Sequence, residues 1–292
     1  MKRLYILAAV MLSCVSCGTF SRYERPDIDV DYARYGEVPS WRNMFADPLL
    51  QGLIDSALVN STSLQTSLLR VREAQASLEQ AGLAFLPSVG ASGSADLGDG
   101  GYGVSLSSSW QIDIFGKIRN ARMKAKATLE ERQAYSQAVQ SSLVAMVATA
   151  YYSLMVLDSQ EYISEKTLEN WDKTITVLES LKLAGKTNDI AILQARAKKM
   201  NLESSAVAIR KNIEIARNNL CALAGISPRE IPRDVLGEEF SLPEIKDVPL
   251  KALVSRPDVR EAENALAAAF YATAEAKSAF YPDITLTGAG SW

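Results

Sequence analysis

Between residues 202 and 223 the apolar positions alternate in steps of three and four: Leu202, Ala206, Ile209, Ile213, Ala216, Leu220 and Leu223. That spacing collects them into one stripe along a helix and predicts coiled-coil-like packing. A similar ladder runs through Leu64, Leu68, Val71, Leu78 and Phe85, with Gln75 and Gly82 on the intervening rungs. No glycine or proline interrupts Lys117–Ala184 or Lys186–Ala224. A continuous helix over the first stretch would be about 100 Å long at roughly 1.5 Å per residue. Its ladder holds through Val144, Val147, Tyr151 and Leu154, breaks at Asp158 and Glu161, and resumes at Leu168 and Ile175. The expectation is one long helix whose buried face drifts, with a break into two helices as the alternative. AGKTND, at Ala184–Asp189, reads as a tight turn between helices.

Around 88–114 the period changes to two. Val89, Ala91, Gly93, Ala95 and Leu97 alternate with Ser88, Gly90, Ser92, Ser94 and Asp96. After the turn-forming GDGG, Tyr102, Val104, Leu106, Trp110, Ile112 and Ile114 alternate with small or polar residues. This predicts a β-hairpin with one apolar face and one small polar face. Each strand is near the 9–11 residues, roughly, that cross a bilayer when tilted, and Tyr102 and Trp110 would supply interfacial aromatics. A sheet half-packed on helices would alternate in the same way.

The pattern is duplicated. Pro282 lies 195 positions after Pro87, and the same offset pairs Phe280 with Phe85, Ile284 with Val89 and Gly288 with Gly93. Upstream it pairs Val259 with Leu64, Ala269 with Ala74 and Ala276 with Ala81. A register kept without insertion marks an internal repeat whose unit runs helix, proline, strand, turn, strand, long helix, turn, helix. The expected division is 1–16 as a signal peptide and 17–46 as an extended segment. The first repeat occupies 47–242, with the hairpin at 88–114 and long helices at 117–184 and 186–224. An incomplete second repeat fills 243–292. Its strand, Asp283–Trp292, is expected to lack a partner of its own, so the sequence reads as the front part of a longer protein. Pro87 and Pro282 are expected to turn the chain from helix into strand, and Ser255-Arg256-Pro257-Asp258 to start a helix.

Composition removes most catalytic chemistry. The chain has no histidine, which excludes a Ser-His-Asp triad, a His-Cys dyad and a histidine-ligated metal. No pair of carboxylates sits in a glycine-rich loop, and GYG at 101–103 is turn chemistry, so the chain is not expected to be an enzyme or to hold a cofactor or metal. A net charge of −3 without a basic patch interleaved with aromatics gives no reason to expect nucleic acid. The opening residues, MKRLYILAAVMLSCVSC, combine Lys2 and Arg3 with a short apolar run and end on small residues and a cysteine. They resemble a bacterial lipoprotein signal, with Cys17 as the lipidated residue and Cys14 as the weaker alternative. An ordinary secretory signal is the other reading. Cys221, at helical spacing with Leu220 and Leu223, is expected to be buried and inert.

Several stretches then carry a family resemblance: WRNMFADPLLQGLIDSAL, LEQAGLAFLPSVGASGS, SSSWQIDIFGKIR, LQARA, NNLCALAG and SRPDVREAENALAAAFYATAEAKSAFYPDITLTG, after the Cys17 anchor and the Tyr23–Pro26 segment. They resemble the TolC-like outer-membrane factors, specifically the NodT-type lipoprotein subunits of efflux systems. DIFGK and the RPDVR…FYPDITLTG block are the most specific. The chain departs from the family pattern in carrying Ala191 where an acidic residue is common two positions after Asp189.

The resemblance implies a mainly α fold with long coiled-coil-like helices forming a periplasmic α-barrel, plus strands contributed to a shared transmembrane β-barrel. It implies a homotrimer anchored in membrane lipid. It also implies a passive export duct, serving an inner-membrane RND-type transporter through a periplasmic adaptor, the membrane fusion protein. Cargo choice would rest largely with the pump. Lys186, Thr187, Asn188 and Asp189 become candidates for adaptor contact, and Asp96, Gln111 and Asp113 candidates for lining the pore. The rival readings are a lipid-anchored periplasmic coiled-coil scaffold and a non-functional fragment of such a channel.

Overall fold

The computed structural model describes residues 22–24, 40–95, 102–233 and 255–291. Cys14, Cys17, Asp96, Leu97 and the GDGG turn lie outside the described residues. In order, the elements are α1 (Trp41–Met44), α2 (Pro48–Asn60), α3 (Thr62–Leu83), β1 (Ser88–Ala95), β2 (Tyr102–Ile112), α4 (Lys117–Leu183), α5 (Asp189–Ala224), α6 (Pro257–Ser278) and β3 (Ile284–Ser291). They divide into two compact units. One comprises Met1–Tyr35, Thr66–Ala138 and Pro249–Trp292, and the other Gly36–Gln65 and Val139–Val248. The helix α4 contributes its first part to the former and the remainder to the latter.

The helical unit is built on α2, α4 and α5. Asp47 caps α2 by accepting a hydrogen bond from the Leu49 amide at 2.8 Å, with Pro48 in the first position, where its missing N–H costs nothing. Leu50, Leu53, Ile54 and Ala57 then fall on one face and are buried. They meet Leu143, Val144, Val147, Tyr151 and Leu154 of α4 and Ile213, Leu220 and Cys221 of α5. Each fully buried Leu or Ile contributes about 2 kcal/mol by leaving water. The ladder on α5 is realised at every rung, buried or half-buried from Leu202 to Leu223.

On α4 neither the drift nor the break occurs. The helix is continuous, and Asp158 and Glu161 remain half-buried on the face that carries Leu154 and Leu168. Charge on these rungs is answered by charge. Arg233 donates two hydrogen bonds to Asp158, one through Nη2 at 2.7 Å, and Arg210 Nε donates to Glu161 at 2.7 Å. The positions that interrupt the apolar pattern are therefore where cations dock on the helix.

The other unit holds a three-stranded antiparallel sheet in the order β1-β2-β3. Ser88 pairs with Ser109 and Ala95 with Tyr102 across the hairpin, and Ile284 pairs with Ile112 on the far edge of β2. The expectation that Asp283–Trp292 has no strand partner is thus corrected. An antiparallel strand offers two edges, and β2 gives one to each copy of the repeated strand, satisfying the inward-facing amides and carbonyls of both. The ladder on α3 is corrected too. Leu68 is 50% exposed, and the rungs between Leu64, Val71 and Leu78 are Ser67 and Ala74, both buried. Small side chains let backbones approach closely, and the Ser67 and Ser136 hydroxyls share a buried hydrogen bond at 3.0 Å. Tyr23, Met123, Ala127, Phe270 and Tyr271 form a second small core here.

Candidate functional site: a two-faced sheet and a charged helical turn

The register sorts the sheet into two chemically distinct faces. Val89, Ala91 and Gly93 lie beside Ser108, Leu106 and Val104, and Trp110 and Ile112 lie beside Leu286 and Ile284. On the opposite face Ser88, Ser92, Ser105, Ser107, Ser109, Thr285 and Thr287 gather, with Ser92 and Ser105 hydroxyls 2.8 Å apart. Val89, Val104, Leu106, Trp110 and Leu286 are all exposed. The apolar face therefore has no protein cover among the described residues. The alternative of a sheet half-packed on helices does not fit, because that would bury one face. In water an uncovered apolar face costs about 25 cal/mol per Å². In hydrocarbon it is the stable arrangement, with the hydroxyl face turned to a wet interior. Among the described residues β1 and β3 each pair on one side only, and no such edge is tolerated in lipid without a neighbouring strand.

Where the strands meet the helices, side chains tie the two repeat copies together. Gln111 Nε2 donates to Asp283 Oδ1 at 3.0 Å, and Lys117 Nζ donates to Asp283 Oδ2 at 2.9 Å. The Phe115 and Tyr281 rings stack with centroids 4.7 Å apart, and Ser278 Oγ donates to the Phe115 carbonyl at 3.0 Å. Trp110 Nε1 donates to the Phe85 carbonyl at 3.0 Å. Asp113 follows the last residue of β2, and its carboxylate accepts from the Ile118 and Arg119 amides at 3.0 and 2.9 Å, capping α4. The structure thus brings Gln111 to the junction with Asp283 and Lys117 and commits Asp113 to the cap. Asp283 and Lys117 escaped the sequence reading, although YPD and DIFGK, the motifs that contain them, were visible.

At the far end of the helix pair the turn is set by glycine. Gly185 has φ +67°, and the Gly185 and Lys186 amides donate to the Lys182 and Leu181 carbonyls at 2.9 Å each, closing α4. Asn188 caps α5 by accepting from the Ala191 amide at 3.2 Å, and Asp189 pairs with Lys182. Lys186 is exposed with no ion pair among the described residues, and Thr187 is half-buried. The helices are clasped just behind the turn by Arg196 to Glu179 and Lys199 to Asp172, each at 2.6 Å. The hydrogen bond that Lys199 donates to Asp172 holds the Lys199 pKa above its ordinary value. Ala191, the departure from the family pattern, serves here through its backbone amide. Among the described residues no group of three or more Asp, Glu, Cys or His is placed to hold a metal ion.

Comparison with known proteins gives concordant findings. Residues 53–226 match the family model described as outer membrane efflux protein. The chain is 29% identical over 302 aligned positions to the cation efflux system protein CusC of an Escherichia coli O6:H1 strain, covering 95% of this chain and 65% of that protein. It is 30% identical to the probable outer membrane lipoprotein SilC of Salmonella typhimurium, covering 85% of this chain and 56% of that one. The chain thus spans less than two thirds of the length of these curated relatives. Among solved structures, a CusC crystal structure superposes with a TM-score of 0.81 at 28% identity, covering 93% of this chain and 67% of that chain. The outer-membrane channel OprN superposes with a TM-score of 0.80 at 29% identity, covering 93% and 66% respectively.

Proposed function

The chain belongs to the outer membrane efflux protein family, and from that premise we propose that it contributes strands and helices to a passive outer-membrane export duct. The observation that carries this reading is the sheet: an exposed apolar face backed by a hydroxyl-lined face, continuous through Asp113 with a helix of 67 residues. Such a helix is about 100 Å long at roughly 1.5 Å per residue, far more than a hairpin needs for support. The sheet would lie in the membrane with its serine face toward the aqueous lumen, and the helices would extend that lumen into the periplasm. Cys17 would carry the lipid anchor. The duct would perform no chemical step; energy would come from an inner-membrane transporter of the RND class, coupled through a periplasmic adaptor at the turn around Lys186, Thr187, Asn188 and Asp189. CusC and SilC, named for cation efflux and as an outer membrane lipoprotein, are consistent with that division of labour.

The helices also support a homotrimer. Besides its buried ladder, α5 carries Leu193, Met200 and Val207 at seven-residue spacing, 61, 67 and 66% exposed. On α4, Val156, Ile163 and Val177 are exposed at multiples of seven residues. A helix with a second apolar seam is built for two neighbours, as in the wall of an α-barrel.

Single cysteines test the sheet. In the native outer membrane, a water-soluble thiol reagent admitted to the lumen should label Ser105→Cys, Ser107→Cys and Ser109→Cys and spare Val104→Cys, Leu106→Cys and Trp110→Cys. Uniform labelling on both faces would remove the barrel and favour the lipid-anchored scaffold.

A further inference from the structure

We propose that Tyr23 is the pin that ties the lipid anchor to the fold, holding Cys17 within reach of the leaflet beside the start of α4. The inference rests on the reading that Cys17 is lipidated and that the sheet lies in a membrane. Tyr23 is half-buried while Arg22 and Glu24 on either side are exposed, so one side chain of the segment turns inward. Its backbone N–H donates to the Tyr271 hydroxyl at 3.3 Å, across 248 positions of sequence. Its ring meets Phe270 edge-on, with centroids 5.7 Å apart at 61°, and Phe270 in turn meets Tyr271 at 5.4 Å. Met123, Ala127, Ala267 and Ala268 complete this small core. The seat belongs to the second repeat only. The offset of 195 pairs Ala267, Phe270 and Tyr271 with Arg72, Gln75 and Ala76, all three exposed. The duplicated helix therefore offers the N-terminal segment an aromatic seat on α6 and no ring at the equivalent place on α3.

Position gives the pin its consequence. Met123 and Ala127 lie six and ten residues after Lys117, the first residue of α4, which places the seat about 9–15 Å along that helix. Trp110 and the stacked Phe115 and Tyr281 collect where the sheet meets the helices, and Phe280 beside them is 91% exposed. Aromatics at the end of a membrane-crossing strand mark the boundary between acyl chains and headgroups. The six residues of chain from Cys17 to Tyr23 span at most about 20 Å. That length covers the distance from the seat back to the boundary with only about 5–11 Å of slack. The acyl chains therefore enter the leaflet beside α4 and α6. With the seat vacated, the next described residues begin at Ser40, 23 residues from Cys17, and the tether lengthens to about 80 Å. A longer tether dilutes the anchor around its point of entry, roughly as the −3/2 power of length, or about sevenfold here. The Tyr23 hydroxyl is buried without a hydrogen-bond partner, so the ring and the backbone amide do the holding.

The test follows the full chain in its native host by pulse-chase, reading the rate at which urea-resistant protein appears in outer-membrane fractions. Tyr23→Ala should slow that rate about sevenfold, and the conservative Tyr23→Phe should restore it. A second background, with a secretory signal in place of residues 1–16 and Cys17→Ser, separates tethering from packing. There Tyr23→Ala should cause no further slowing, because no anchor remains to be positioned. An unchanged rate for Tyr23→Ala in the lipidated chain overturns the proposal. So does equal slowing in both backgrounds, which would make Tyr23 a packing residue alone. Tyr23→Phe as slow as Tyr23→Ala overturns it too, since the hydroxyl would then carry the effect. Radiolabelled palmitate reports the anchor separately: an unaltered chain that takes up none refutes lipidation at Cys17. Unaltered protein that a urea wash removes refutes the membrane reading of the sheet, whereas inserted, lipidated protein indifferent to Tyr23→Ala refutes the pin alone.

Discussion

Two glycines end the long helices in the same left-handed conformation, yet they face different surroundings. Gly185, at φ +67°, has open space where a Cβ would stand, whereas at Gly225, φ +65°, a Cβ would come within 2.4 Å of Asn60 Cβ. Gly185→Ala is therefore expected to cost only the conformational penalty, about 1 kcal/mol. Gly225→Ala should add an overpacking cost of about 1–3 kcal/mol, because Asn60 closes α2 and cannot retreat freely. Urea denaturation followed by circular dichroism ranks the two, and equal midpoints would refute the packing argument. The ion pairs on α4 make a similar contrast. The Arg233 side chain is 16% exposed against Asp158, so Asp158→Ala strands a partly buried guanidinium and should cost about 2 kcal/mol. The Arg210 side chain is 57% exposed against Glu161 and Glu165, and Arg210→Ala should cost under about 1 kcal/mol in the same assay.

At the scale of elements, the sheet draws its meaning from its register. Leu106 and Ser107 are neighbours in β2 but point to opposite faces, toward Ala91 with Gly290 and toward Gly90 with Ala289. If the apolar face meets lipid, Leu106→Arg should cost about 2–4 kcal/mol of insertion near mid-bilayer, while Ser107→Arg on the wet face is tolerated. The amount of folded protein in outer-membrane fractions reads this directly. Equal loss for both substitutions would show that the two faces share one environment. A shift of one residue in the β2–β3 pairing would exchange the faces of β3, so Asp283 gains importance from holding both Gln111 and Lys117 at the junction.

For the whole molecule, the proposed trimer makes the exposed seams of α4 and α5 its test. Leu193→Glu, Met200→Glu and Val207→Glu together should abolish trimers in native gels while leaving helicity unchanged, because these side chains are exposed and contribute nothing to the core of α2, α4 and α5. Loss of helicity would instead place that face inside the folded chain.

The sequence by itself determined the two periodicities, and with them the long helices, the two-faced hairpin and the duplicated unit. These depend on local spacing, 3.6 against 2 residues per repeat or about that, which a linear reading recovers. It also made the helical turn legible, since glycine and a capping asparagine act on adjacent backbone. Tertiary structure alone decided which side of α3 is buried, because Ser67 and Ala74 win over Leu68 and Gln75 only when a neighbouring helix comes close enough to prefer small side chains. It decided that Asp158 and Glu161 continue the α4 ladder, because the arginines that answer them lie 75 and 49 residues away. It also gave β3 its partner. Each of these outcomes depends on contacts between residues far apart in the chain, which carry no signal in local spacing.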